Sequence, residues 1–110
     1  MTREARPLVF LGTPTAAATV LSELIRSGFE IAHVVTRADA RRGRGSSTTP
    51  SPVKQVAVDN AIDVSHDLTW LKENSDRELL GVVVAYGKVI PASVLSHIPM
   101  VNIHFSLLPR

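Results

Sequence analysis

Three residues near the end of this chain have types and spacing that could do chemistry: Asn102, His104 and Ser106, at alternate positions in the run Val101 to Arg110. Side chains on an extended strand alternate between faces, so these three point one way and Val101, Ile103 and Phe105 the other. An amide can hold a fixed hydrogen-bond donor. An imidazole titrates near neutral pH and can pass a proton, and a hydroxyl can give or accept one hydrogen bond. Polar side chains cost free energy when buried without partners, so three in register suggest a site. The alternative is a strand whose polar face simply meets water.

The elements that must position this strand are legible upstream. Leu8 to Leu11 reads as a short buried strand, followed by Gly12 for a turn, Thr13 as helix cap and Pro14 at the first helical position. Ala17, Val20, Leu21, Leu24 and Ile25 recur at helical spacing, and Gly28 supplies the stop. Ile31 to Val35 is a second strand. Ser51-Pro52 repeats the cap-plus-proline start before a short helix carrying Val53, Val56, Ala57 and Asn60. A brief strand at 62–64 and a short helix at 68–74 follow. Leu80 to Ala85 is a continuous apolar run, the pattern of a strand buried on both faces. Pro91 to Leu95 opens another short helix, and Met100 to Phe105 is the last strand. This alternation predicts an α/β fold, Rossmann-like, with a mostly parallel sheet and right-handed crossovers. Ligands in such sheets bind beyond the carboxyl ends of the strands, where Gly12-Thr13-Pro14, Tyr86-Gly87 and 102–106 all fall.

Residues 37–52 differ from the rest. Arg37, Arg41, Arg42 and Arg44 face only Asp39 as counter-charge, with glycines between them and no hydrophobic periodicity, so the segment reads as a loop. One reading is a solvated surface segment. The other is contact with a sugar–phosphate chain, which the glycines would let the backbone approach closely.

Several of these segments resemble one family. Asn102-x-His104-x-Ser106-Leu107-Leu108-Pro109 resembles the signature of the 10-formyltetrahydrofolate-dependent formyltransferases. Phe10 to Pro14 is similar to that family's opening strand and turn, and Val82 to Pro91 to the strand and turn preceding the catalytic strand. Arg42-Gly43-Arg44-Gly45 and Thr49-Pro50-Ser51-Pro52-Val53-Lys54 look like the loop and helix start of the branch that formylates tRNA. Four motifs in the family's order are far more specific than any one alone. Pro99-Met100 departs from the pattern, standing where a glycine is usual.

The resemblance implies transfer of a formyl group from 10-formyltetrahydrofolate to the amino group of a methionyl initiator tRNA. An α-amine is partly unprotonated near neutral pH, so the enzyme must orient two substrates and stabilise an oxyanion rather than form a covalent intermediate. Asn102 suits the oxyanion donor, His104 the acid–base, and Ser106 the support of both. By the same resemblance Ser106, Leu107, Leu108 and Pro109 contact the folate, with Tyr86, Lys88 and Ile90 as further neighbours. Arg41, Arg42 and Arg44 would meet tRNA phosphates. Two other functions stay open: a sugar or glycinamide N-formyltransferase sharing the folate site, and a non-catalytic α/β binding module.

Composition narrows the field. The chain has 110 residues, no cysteine and a net charge of +2, which bounds it at one domain and excludes disulfides and thiolate chemistry. Its four histidines lack metal-ligand spacing, so no metal is expected. No G-x-G-x-x-G follows the first strand, which argues against a dinucleotide. No run approaches the roughly 18 apolar residues of a membrane span. The expected protein is cytoplasmic and monomeric. The family's catalytic aspartate lies downstream of the signature, so residues 1–110 are expected to be the N-terminal part of a catalytic domain. The remainder, a C-terminal barrel included, would be missing and the isolated piece inactive.

Overall fold

A computed structural model describes residues 6–41 and 48–104. Ser106, Leu107, Leu108, Pro109, Arg42 and Arg44 lie outside the described residues. So does the end of the final strand at Phe105.

The chain alternates as expected. Strand β1 (Leu8–Gly12) leads into helix α1 (Thr15–Arg26) and strand β2 (Ile31–Val35). Two short strands, β3 (Ala40–Arg41) and β4 (Thr48–Thr49), pair antiparallel before helix α2 (Pro52–Asp59). Then come β5 (Val64–Ser65), α3 (Thr69–Glu73), β6 (Leu80–Val84), α4 (Ala92–Leu95) and β7 (Met100–Ile103). The main sheet runs β5-β2-β1-β6-β7 with every pairing parallel. This is a Rossmann-like α/β arrangement. The chain winds outward from β1 through β2 to β5, then returns to the other side of β1 for β6 and β7.

Both faces of the sheet are covered, and the alternation of β1 and β6 shows how. Leu8, Phe10, Val82 and Val84 pack with Ala17, Ala18 and Leu21 of α1 and Val53 and Ala57 of α2. Val9, Leu11 and Val83 face the opposite layer, with Leu71 of α3, Val94 of α4, Leu79 and Ile98. Burying each large apolar side chain contributes about 1.5–3 kcal/mol, and the continuous run of β6 reflects burial on two sides rather than one.

Helix α1 ends as its sequence predicts. Gly28 adopts φ +93, and the amides of Gly28 and Phe29 return to the carbonyls of Ile25 and Leu24, the Schellman pattern. Its start differs from expectation. Pro14 is the flanking residue, no side chain caps the helix, and the Thr13 hydroxyl accepts instead from the Arg37 amide at 3.3 Å. Ser51 does cap α2, accepting from the Lys54 amide at 2.9 Å with Pro52 at the first turn. The 37–52 segment, expected to be loop throughout, contains the β3–β4 pair. β5 falls at Val64–Ser65 rather than 62–64, because its partners on β2 are Val34 and Val35.

Two glycines allow close packing in different ways. A Cβ on Gly12 would lie 2.5 Å from the Val84 carbonyl oxygen and 2.9 Å from the Ala17 Cβ. A Cβ on Gly81 would instead meet the thioether of Met100, its register partner on β7. Met100 thus fills the space left by Gly81.

His33 on β2 is 3% exposed. Its ring stacks parallel on Trp70, centroids 4.3 Å apart, and the Arg77 guanidinium lies 5.5 Å from the Trp70 centroid. Trp70 therefore packs against the sheet through His33. His33 Nε2 is 2.9 Å from the Ser65 hydroxyl, which gives its own proton to the Asp67 carbonyl. His33 therefore donates from Nε2, and the buried Nδ1 is left without a partner. Burial pushes the His33 pKa down, and Asp63 opposes this in part.

Gly12→Ala should lower unfolding free energy by about 1–3 kcal/mol, since a backbone carbonyl and a rigid methyl must move. Gly81→Ala should cost less, because the end of a methionine can swing aside. Denaturant titration of both variants checks the order. His33 yields a pH prediction. Its folded pKa lies below the unfolded value of about 6.5, so below that pH the unfolded chain binds the extra proton. Stability from this group is complete above about pH 6.5 and declines as pH falls through it. Melting temperature should drop between pH 7.5 and 5.5, and His33→Gln should flatten that slope.

Candidate functional site

A cleft of about 410 Å³ opens beyond the carboxyl ends of β6 and β7, lined by Val83, Ala85, Tyr86, Gly87, Lys88, Val89, Asn102 and His104. Its volume falls within the range of small-molecule sites, roughly 300–1,000 Å³. One wall comes from the segment after β6, the other from β7.

The first wall depends on an abrupt change of direction. Ala85 leaves the strand at φ +51, and Gly87 adopts φ +84. The left-handed region costs a residue with a Cβ roughly 1–2 kcal/mol, so the surrounding packing must hold Ala85 there. Between the two, Tyr86 turns inward and joins Leu71, Val94 and Ile98 in the core, where burial pushes its phenol pKa up. Tyr86 thus anchors the turn while one part of its surface meets the cleft. Lys88 is exposed and Val89 is 89% exposed.

Ile90 behaves differently from its neighbours. It packs against the core layer that holds Leu71, Tyr86 and Val94 and is not among the cleft-lining residues. Of the three ligand neighbours expected after β6, Tyr86 and Lys88 are in the cleft and Ile90 supports it from behind. Val89 takes the apolar position on the cleft side. Its near-complete exposure beside a concavity is the signal, and that signal exists only in three dimensions.

On the second wall, Asn102 pairs in register with Val83, and Asn102 and His104 both line the cleft. Both are exposed, as a water-facing strand would also have them. They face a concavity shared with Tyr86 and Lys88. Val101, on the other face of β7, is 48% exposed because β7 is the terminal strand of the sheet. Ile103 packs against the α1–α2 layer.

The basic segment joins the fold at the carboxyl ends of β1 and β2. Thr36 and Ser51 are fully buried, with hydroxyls 2.7 Å apart, and Thr36 also donates to the Thr13 hydroxyl at 3.4 Å. The carboxylate expected to offset the arginines is otherwise engaged: Asp39 pairs with Lys54 at 2.9 Å. The Arg37 guanidinium donates to the Ala38 carbonyl at 3.1 Å, and Arg41 lies on β3. Sequence reading missed Thr36 altogether, because a lone threonine after a strand carries no pattern.

Among the described residues no group of three or more His, Asp or Glu could hold a metal ion. No described helix is long and apolar enough to cross a membrane.

The profile of the family described as formyl transferase matches residues 5–110. The chain is 44% identical over 112 residues to the methionyl-tRNA formyltransferase of Marinobacter nauticus, covering 94% of this chain and 36% of that protein. It is 41% identical over 110 residues to the enzyme of the same name from Heliobacterium modesticaldum, covering 94% and 35%. With the Corynebacterium diphtheriae protein of that name the identity is 40% over 116 residues, covering 94% and 37%. The chain therefore spans about a third of the length of these curated relatives. A match over nearly the whole chain shows that it belongs to the formyl transferase family.

Proposed function

We propose that this chain carries the formyl-donor site of an enzyme that moves a formyl group from 10-formyltetrahydrofolate to the amino group of methionyl initiator tRNA. The observation that carries this reading is the meeting of Asn102 and His104 with Tyr86 and Lys88 in one cleft. The cleft suits the donor. Val83, Val89 and the Tyr86 ring offer apolar surface to a flat heteroaromatic group, and Lys88 offers a cation to a carboxylate. Ser106, Leu107, Leu108 and Pro109 extend the same proposed folate contact along the chain.

The chemistry assigned to these residues is acyl transfer between nitrogens. The amine attacks the formyl carbon, the new C–N bond forms, and the bond to the folate nitrogen breaks. Negative charge gathers on the formyl oxygen meanwhile. Asn102 donates a hydrogen bond to that oxygen, an interaction worth roughly 3–4 kcal/mol in comparable acyl transfers. His104 takes the proton that the amine loses and returns one to the departing nitrogen. Ser106 supports the pair.

Arg41, Arg42 and Arg44 are assigned to tRNA phosphates. The pairing of Asp39 with Lys54 supports this, since it gives that carboxylate a cation partner besides the arginines. Both proposed partners, folate and tRNA, belong to the cytoplasm.

In the protein that carries this chain, His104→Ala should lower the formylation rate by roughly 10² to 10⁴. Asn102→Ala should do comparable damage with little change in folate affinity. Single-turnover assays with saturating folate check both, and a wild-type rate in either variant would remove the role given to that residue. Changing Arg41, Arg42 and Arg44 together to Ala should weaken tRNA binding and flatten its log–log salt slope by about two to three units. Folate binding should be unchanged. Equal salt slopes in a tRNA titration would leave the segment as solvated surface and favour a sugar or glycinamide substrate.

A further inference from the structure

Three hydroxyls meet where the basic segment joins the sheet, and their protons can be ordered. The Lys54 amide donates to Ser51 Oγ at 2.9 Å, so the Ser51 proton is free to point at Thr36 Oγ1, 2.7 Å away. Thr36 in turn donates to Thr13 Oγ1 at 3.4 Å, which also accepts from the Arg37 amide at 3.3 Å. The chain of donation runs Ser51 to Thr36 to Thr13. It links the end of β2, the residue after β1 and the start of α2. Two of the three hydroxyls are fully buried. For stability alone, apolar groups of the same shape would serve about as well. What hydroxyls add is direction, because each bond fixes one rotamer against the next.

We propose that Thr36 is a positioning residue: with Ser51 and Thr13 it locks both roots of the β3–β4 hairpin, and so sets the presentation of Arg37 and Arg41 to a polyanion. The polyanion part rests on the tRNA reading above; the lock itself does not. Thr36 precedes the hairpin and Ser51 follows it, so their bond closes the intervening segment at its base. Pinning both ends removes much of the freedom a polar connection would otherwise have. A second tie lies further out, where Lys54 on α2 reaches Asp39 just before β3. The pairing of Ala40 with Thr49 and Arg41 with Thr48 continues the closure upward. The hairpin is thereby held at its base, at Asp39 and along its own strands.

The test compares Thr36→Val, which keeps shape and removes the hydroxyl, with Thr36→Ser, which keeps the hydroxyl. Amide hydrogen exchange is read at Ala40, Arg41, Thr48 and Thr49, with Phe10 and Leu21 as core references. Thr36→Val should speed exchange in the hairpin by roughly fivefold or more while the core stays protected, as local opening requires. Thr36→Ser should restore wild-type exchange. If Thr36→Val does not fold, Thr13→Val, at a half-buried position, removes the last acceptor and should give the same confined loosening. Unchanged hairpin exchange, or acceleration spread evenly through the core, would overturn the lock. In a parallel titration with tRNA, Thr36→Val should bind more weakly and Thr36→Ser normally. Arg41→Ala in that titration tests the tRNA reading separately, and undiminished binding by it would overturn that reading and not the lock.

Discussion

The arrangement depends on how closely the two central strands can approach at their carboxyl ends. β1 and β6 lie side by side, and Gly12 meets Val84 with no side chain between them. One wall of the cleft and one anchor of the basic segment leave the sheet from that contact. One residue beyond Val84 the chain enters the left-handed turn at Ala85 that forms the cleft wall. One residue beyond Gly12 stands Thr13, whose hydroxyl receives the bonds from Thr36 and Arg37. A side chain at position 12 would push the cleft wall and the base of the basic hairpin apart together.

Much of the fold was legible in the sequence because it rests on local signals. The apolar run of β6, the Gly28 stop and the Ser51-Pro52 start each depend on residues within a turn of one another. What was misread depends on partners distant in sequence. Thr13 has the form of a helix cap, yet its hydroxyl serves Arg37 and Thr36, some two dozen residues away. The β3–β4 pair carries no apolar alternation, since it is too short to bury a face. Of the site, Asn102 and His104 were readable from alternation, and the shared cleft agrees with that pattern. The choice between Val89 and Ile90 was not readable, because after Gly87 the segment follows neither helical nor strand periodicity.

The two proposed substrates approach from different parts of one edge. The cleft lies at the ends of β6 and β7, the hairpin at the ends of β1 and β2. The sheet holds them at a fixed separation while each is built from separate chain segments. Substitutions in the hairpin can therefore alter its affinity for a large acceptor without touching the donor cleft.

The strand order also has a consequence for synthesis. β1 emerges early, yet its inner edge pairs with β6, Leu8 against Leu80. Until that distant strand leaves the ribosome, one side of β1 is an open edge, and α4, which carries Val94 of the layer over Val9 and Leu11, has yet to be made. At roughly 5–20 residues per second of elongation, that wait lasts several seconds. By its end β2, β5 and helices α1 to α3 have been made, all of them on one side of β1 or stacked on its faces. Slowing translation within the stretch before β6 would lengthen the exposure of that edge.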